Sequence, residues 1–131
     1  MKQKQNPADL IVTLDRLVNE LIGAVLAVGV KGMYEGDVMC SGPAPYRRID
    51  CDGRALAYIR ARPRKKAVRV DITGLWKAPP SSSIRVPNAC GAASLLLKSE
   101  VEVYEAARFL VATVDRTRRQ QAKKALRANA A

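Results

Sequence analysis

Positive charge dominates the chemistry that this sequence can offer. Of its 131 residues, 23 are Lys or Arg and 12 are Asp or Glu, which gives a formal net charge of +11 and an isoelectric point near 10.1. Such a balance favours a polyanionic partner. The sequence contains no histidine, and this excludes a Ser-His-Asp triad, a Cys-His pair and any metal site that uses imidazole.

Seven cations and no acid lie between residues 54 and 69, in a segment that alternates like a β-hairpin. They are Arg54, Arg60, Arg62, Arg64, Lys65, Lys66 and Arg69. If the apolar side of the hairpin is covered, alternation places Arg60, Arg62 and Arg69 on the opposite, open side, next to the cations of the turn. Arginine favours paired hydrogen bonds with phosphate or guanine over a simple charge contact.

This basic hairpin predicts nucleic-acid binding. A two-stranded ribbon fits the major groove of DNA, and Tyr58 can stack on a base where a strand is single. The placement of Arg60 directly opposite Arg69 destabilises the hairpin by a few tenths of a kcal/mol. A role in solubility alone does not require that pairing, so the pairing favours binding of a polyanion. The alternative is that the cations prevent edge-to-edge association of sheets.

A second basic segment follows Asp115, after which no acid appears. Its candidate contacts with nucleic acid are Arg116, Arg118, Arg119, Lys123 and Lys124. These side chains can follow a phosphate backbone, or they can complement the negative end of a helix and keep it soluble. Membrane binding is not expected, because Leu126 and a few alanines are the only apolar anchors there.

Carboxylates offer one further kind of chemistry. Asp50 and Asp52, with Asp71, can hold a divalent ion for cleavage of a phosphodiester. The dipeptide Asp52-Gly53 is equally typical of a hairpin turn, which we favour. We therefore expect a protein without catalytic residues, cofactor or metal, and keep a Mg²⁺-dependent phosphodiesterase as the third hypothesis.

The cysteines do not form a recognisable site. Cys40, Cys51 and Cys90 contain no C-x-x-C spacing, and their odd number argues against a closed set of disulfides. The acids on either side of Cys51 oppose its thiolate, which disfavours a nucleophile. We expect buried or ordinary thiols, and we expect Trp76 to cover the core.

Two helices must position these residues. Apolar residues spaced by three and four predict a helix over residues 6–28, begun by Asn6 and Pro7 after a flexible segment 1–5. A capping box formed by Ser99 and Glu102 begins a second helix over residues 99–126, followed by a tail at 127–131.

An antiparallel sheet is predicted over residues 45–97, with a connecting loop at 77–91. Its hairpin pairs residues whose numbers add to 129, so one face consists of apolar pairs and the other holds Tyr58 opposite Asp71 and Arg60 opposite Arg69. A slip of one residue would mix apolar and charged positions. The prediction is one α+β domain, a two-layer sandwich in which both helices cover a sheet of three to five strands.

The order of elements resembles the frataxin-like layout of small uncharacterised bacterial proteins. Residues 53–70 and 92–115 are similar to it in outline, and the likeness covers roughly two thirds of the chain as a pattern of elements. It implies the α+β fold described above. Frataxins use an acidic ridge for iron, whereas this chain is strongly basic, so the resemblance does not extend to iron delivery.

The sequence thus predicts a small basic protein that binds DNA or RNA through its hairpin and its second helix. The alternative is an adaptor that binds an acidic protein, or self-associates, through its sheet face.

The longest apolar run, residues 21–30, contains two glycines and is about half of the roughly 20 residues that cross a membrane. Since no signal peptide is recognisable, we expect a cytoplasmic protein.

Overall fold

Two helices bracket the strands of an antiparallel sheet in the computed structural model, which describes residues 7–37, 46–87 and 91–130. The helices are α1 (Pro7–Ala27) and α2 (Glu100–Asn129). The strands are β1 (Met33–Gly36), β2 (Arg47–Cys51), β3 (Arg54–Arg62), β4 (Ala67–Ile72), β5 (Arg85–Val86) and β6 (Ala93–Leu97). Their order in the sheet is β1-β2-β3-β4-β6-β5.

The predicted α+β class is confirmed, but the predicted number of strands is too low. The described residues form a sheet of six strands rather than three to five. The shortest strands, β1 and β5, have only four and two residues, so alternation alone does not define them. Helix α2 continues to Asn129 instead of ending at 126, because alanine, arginine and lysine are strong helix formers. Asn6, the predicted N-cap of the first helix, lies outside the described residues, as do Cys40 and Cys90.

The predicted register of the β3–β4 hairpin is confirmed. Its apolar pairs are Ala57 with Ile72, Ile59 with Val70 and Ala61 with Val68. The connection is a 3₁₀ turn at Pro63–Lys65, followed by Lys66 in the left-handed conformation with φ of 50°. Strand β2 pairs with β3 only as far as Ile59. On that side residues 60–62 of β3 have no partner strand, whereas β4 on the other side stays paired with β6 up to Val68, which lies opposite Leu97. Only the Arg62–Ala67 pair and the turn lie beyond both neighbouring strands.

A β-bulge interrupts the pairing of β2 with β3. Ile49 lies opposite Ala57 but Asp50 lies opposite Ala55, which leaves Leu56 as the extra residue. Leu56 is fully buried in the core. Because the bulge reverses the alternation, Arg54 pairs with the buried Cys51 and shares its side of the sheet.

Both helices cover the same face of the sheet. Helix α1 packs on β1, β3 and β4, whereas α2 packs on β6 and on α1. Leu21 and Leu110, one from each helix, are fully buried in one apolar cluster with Ile59 and Leu95 of the sheet. Trp76 is 2% exposed and donates its indole N–H to the carbonyl of Ala55 at 3.0 Å. The expectation that it covers the core is confirmed.

The chain direction separates the two basic segments. Strand β6 runs from Ala93, opposite Ile72, to Leu97, opposite Val68, and so approaches the turn of the hairpin. Helix α2 begins there, where Ser99 accepts a hydrogen bond from the Glu102 N–H at 3.5 Å, as the capping box predicts. The helix then runs back to the β2–β3 turn at the other end of the sheet, about 28 Å away at 1.5 Å per residue.

The described part of the predicted connecting loop, residues 77–87, is held by hydrogen bonds and is only partly exposed. Ser82 and Ser83 donate hydrogen bonds to Glu105 of α2 at 2.8 and 2.7 Å, and these bonds, that of Ser83 first, lower the pKa of the Glu105 carboxyl. Arg85 donates to the carbonyl of Pro79 at 2.7 Å, and Ile84 is buried. Proline and serine thus mark an irregular segment that is nevertheless fixed on α2.

An ion pair between Arg48 and Asp50 of β2 lies beside Gly36 of β1, with the Asp50 side chain buried and that of Arg48 30% exposed. The Nε of Arg48 lies 2.7 Å from Asp50 Oδ1, outside the alignment of a hydrogen bond, while Nη2 donates to Oδ2 at 3.0 Å. Asp50 is only 5% exposed. A Cβ on Gly36 would approach Arg48 Nε to 2.7 Å and the Asp50 carboxylate more closely still. Gly36 therefore makes room for this pair.

We expect Gly36→Ala to lower the free energy of unfolding by about 1–3 kcal/mol, because the new methyl group must displace a partly buried ion pair. Urea denaturation measures the change. Gly23→Ala in α1 is the matched control, since a Cβ there meets nothing within 4 Å, and alanine in a helix is more stable than glycine by roughly 0.5–1 kcal/mol. Equal stability of Gly36→Ala and the unaltered protein would contradict the close approach.

Candidate nucleic-acid interface

The face of the sheet opposite the helices, here called the open face, carries polar and aromatic side chains. Alternation places them there, because Ile49, Ile59 and Val70 point into the core beneath the helices. The open face is made by Tyr34, Tyr46, Arg48, Asp50, Tyr58, Arg60, Arg62, Arg69, Asp71, Val86, Ser94 and Leu96. The open face thus brings together four of the hairpin residues predicted to contact nucleic acid, namely Tyr58, Arg60, Arg62 and Arg69.

Arg69 is engaged by its neighbours on this face. Its Nε donates to Asp71 Oδ1 at 3.0 Å and its Nη2 to Ser94 Oγ at 3.3 Å, while Ser94 donates to Asp71 at 2.6 Å. Its side chain is only 19% exposed. Arg69 does lie opposite Arg60, as predicted, but Asp71 balances its charge. The repulsion expected between the two arginines is therefore reduced, and Arg69 is less available to a phosphate than its position suggested.

The remaining hairpin cations are unpaired. Across the described part of the chain, no ion pair or hydrogen bond involves the side chains of Arg60, Arg62, Arg64, Lys65 or Lys66. Arg60 and the three turn residues are exposed, and Arg62 is half-buried. No acid occurs between residues 53 and 70. Residues 60–66 are therefore a site of uncompensated positive charge.

Arg54 does not join this group. The bulge turns it to the helix side of the sheet, where its guanidinium carbon lies 5.6 Å from the centre of the Trp76 ring. An arginine over an indole face makes a favourable cation–π contact. The role that the structure gives to Arg54 is thus a contact with the core.

The basic segment of α2 lies at the other end of the molecule, and two of its arginines have partners. Arg118 donates to the carbonyl of Lys31 at 2.6 Å and to both carboxylate oxygens of Asp52 at 3.1 and 3.2 Å. Arg119 pairs with Asp115 at 2.9 Å on the exposed surface. Arg116, Lys123 and Lys124 are exposed. The structure does not bring these side chains together with the hairpin.

Each of the three aspartates contacts a different arginine. Asp50 contacts Arg48, Asp52 contacts Arg118, and Asp71 contacts Arg69. Positive φ angles of 55° at Asp52 and 74° at Gly53 confirm the predicted turn. Among residues 7–37, 46–87 and 91–130, no group of three acids or cysteines is placed to hold a metal ion.

Cys51 is buried between strands, and burial followed by the charge of Asp52 raises the pKa of its thiol. This direction agrees with the expectation that its acidic neighbours oppose the thiolate.

Sequence reasoning missed Arg48, Tyr34 and Tyr46 as residues of the open face. Alternation back from Asp50 places Arg48 and Tyr46 on the same side, which was a usable signal. Tyr34 had no such signal, since it joins the face only through the short strand β1, where it lies opposite Asp50.

Comparison with known proteins yields no relative: no family model, no curated protein and no solved structure matches the chain. The frataxin-like resemblance therefore remains one of element order. Within the described ranges, no helix is long and apolar enough to cross a membrane.

We expect Arg118→Ala to lower the free energy of unfolding by about 1–2 kcal/mol, because it removes charge-assisted hydrogen bonds that attach α2 to the β2–β3 turn. Arg119→Ala, which removes only an exposed pair, is the control and should change stability by less than about 0.5 kcal/mol. Chemical denaturation compares the two variants. The same small effect from both would mean that Arg118 is not a structural residue.

Proposed function

We propose that this protein is a non-catalytic nucleic-acid-binding module whose projecting hairpin contacts phosphates. The observation that carries the proposal is the set of five cations without partners within residues 60–66. Their guanidinium and ammonium groups would displace the counterions condensed on a nucleic acid, and the release of those counterions would drive binding.

Protection of a sheet edge explains this charge less well. The edge strands are β1 and β5, whereas β3 and β4 lie inside the sheet. Only residues 60–62 of β3 extend beyond β2 and leave an unpaired edge. Arg64, Lys65 and Lys66 belong to the turn, which has no unpaired strand to protect.

The exposed cations of α2 would make a second, separate contact. Along α2, which begins at the hairpin end of the sheet, Arg116 lies about 24 Å and Lys124 about 36 Å from the first residue of the helix. A ligand that touches both groups must therefore span roughly seven to eleven nucleotide steps of B-form DNA at 3.4 Å each. A shorter ligand would contact one group alone, and the helix would add affinity without reading sequence.

The second candidate is an adaptor that binds an acidic protein or a second copy through the open face. Half-buried Leu96 and Val86 favour it, since they give the β5–β6 side of this face an apolar character. A partner that is retained after nuclease treatment and at high salt would support the adaptor. Loss of the bound material on nuclease treatment would support nucleic acid.

Salt dependence tests the nucleic-acid proposal directly. If the hairpin neutralises four phosphates, a plot of log affinity against log salt concentration should have a slope near ~-3.6 on B-form DNA. Replacing Arg60, Arg62 and Arg64 with alanine should reduce the slope to between about -0.9 and -1.8, because only Lys65 and Lys66 remain, and should weaken binding at least tenfold. Fluorescence anisotropy with a labelled duplex of about five base pairs, which is too short to reach both groups of cations, measures both quantities.

The charge-matched control replaces Arg116, Lys123 and Lys124 with alanine, which removes the same three positive charges from the opposite end. It should retain most of the affinity for the short oligonucleotide. Equal losses in the two triple variants would reject the hairpin as the site and leave net charge as the cause. Absence of binding by the unaltered protein at low salt would reject the function itself.

A further inference from the structure

Three of the four tyrosines in the chain lie on the open face. Tyr34 is 47% exposed on β1, and Tyr58 is half-buried on β3. Tyr46, just before β2, meets Tyr58 edge to face, with ring centres 5.5 Å apart and ring planes at 70°. Tyr46 therefore holds the Tyr58 ring in position.

The arginines beside these rings are neutralised, whereas those farther along β3 are not. Arg48 lies opposite Tyr58, and its hydrogen bond with Asp50 is the main cause that raises the pKa of its guanidinium. From Tyr58 the open face continues through Arg60 and Arg62 towards the turn. The middle of the face is thus aromatic and balanced in charge, and it borders directly on the unpaired cations.

The width of the sheet decides what these rings can contact. Six strands at about 4.8 Å span roughly 24 Å, twice the approximately 12 Å width of the major groove. Only the turn and the Arg62–Ala67 pair, which lie beyond both β2 and β6, are narrow enough to enter a groove. In a duplex the flat surfaces of the bases are covered by their neighbours, so a tyrosine on a broad sheet can stack only on a base that is unpaired.

We propose that the open face binds single-stranded nucleic acid, with bases stacked on Tyr34 and Tyr58 and the phosphates neutralised by Arg60 and Arg62. Strand spacing and the offset of two residues between Tyr34 and Tyr58 place these side chains about 12 Å apart. They are therefore separate stacking positions rather than one. This inference rests on the proposed function and specifies the class of ligand.

The experiment compares single-stranded oligo(dT) and oligo(U) with a duplex of equal length by fluorescence anisotropy. The unaltered protein should bind a single strand at least tenfold more tightly than the duplex. Tyr34→Ala and Tyr58→Ala should each weaken single-strand binding by about 5- to 150-fold, which corresponds to ~1–3 kcal/mol per stacked base. Binding to the duplex should stay unchanged, and Tyr34→Phe and Tyr58→Phe should retain single-strand affinity because the ring remains.

Tyr104→Ala is the matched control, since Tyr104 is 63% exposed but lies on α2, on the other side of the molecule. It should leave all affinities unchanged. Circular dichroism checks that each variant is folded, and Tyr34→Ala, at the more exposed position, decides the matter if Tyr58→Ala unfolds. A preference for oligo(U) over oligo(dT), or the reverse, reflects the 2′-hydroxyl and the thymine methyl group together, and either supports the inference.

A duplex preference, or single-strand affinity that Tyr34→Ala leaves unchanged, would overturn this inference while the hairpin proposal stands. If the unaltered protein binds neither form at low salt, the proposed function fails as well. The two failures are therefore distinguished by the duplex measurement.

Discussion

Burial of one side of the β3–β4 hairpin is the constraint on which the rest of the structure depends. Ala57, Ile59, Val68 and Val70 are fully buried beneath the helices, and alternation leaves no other place for the intervening residues than the open face. The hydrophobic effect thus positions arginines as a secondary result of positioning aliphatic side chains. The same constraint fixes the register, since a slip of one residue would bury Arg60 or Arg69.

The sequence allowed the central hairpin to be predicted residue by residue because its pairing can be checked internally: every pair on one face must be apolar. The bulge at Leu56 could not be found in this way. It depends on how β2 meets β3, and no local pattern reports that contact. This single extra residue moved Arg54 from the predicted binding set to a contact with Trp76.

The sequence predicted which residues lie at the candidate site better than it predicted which of their charges are compensated. Arg69 and Asp71 are two residues apart on one strand, so their pairing was visible in the sequence once the strand was recognised. The contact of Arg118 with Asp52 joins residues 66 positions apart, and only the direction of α2 brings them together. Sequence identifies which residues are charged, whereas tertiary contacts decide which charges remain available to a ligand.

The distribution of compensated and free charge on the open face follows from strand order. In the middle of the sheet, every arginine has strands on both sides, and a neighbouring aspartate can contact it, as Asp50 does for Arg48 and Asp71 for Arg69. Past the end of β2 the described residues include no such partner, so Arg60 and Arg62 have no ion pair there. Attraction by free charge acts over about 10 Å and weakens with salt, whereas stacking acts only on contact. A nucleic acid would therefore contact the cations of residues 60–66 first, and the tyrosines would stack on its bases once these reach the sheet.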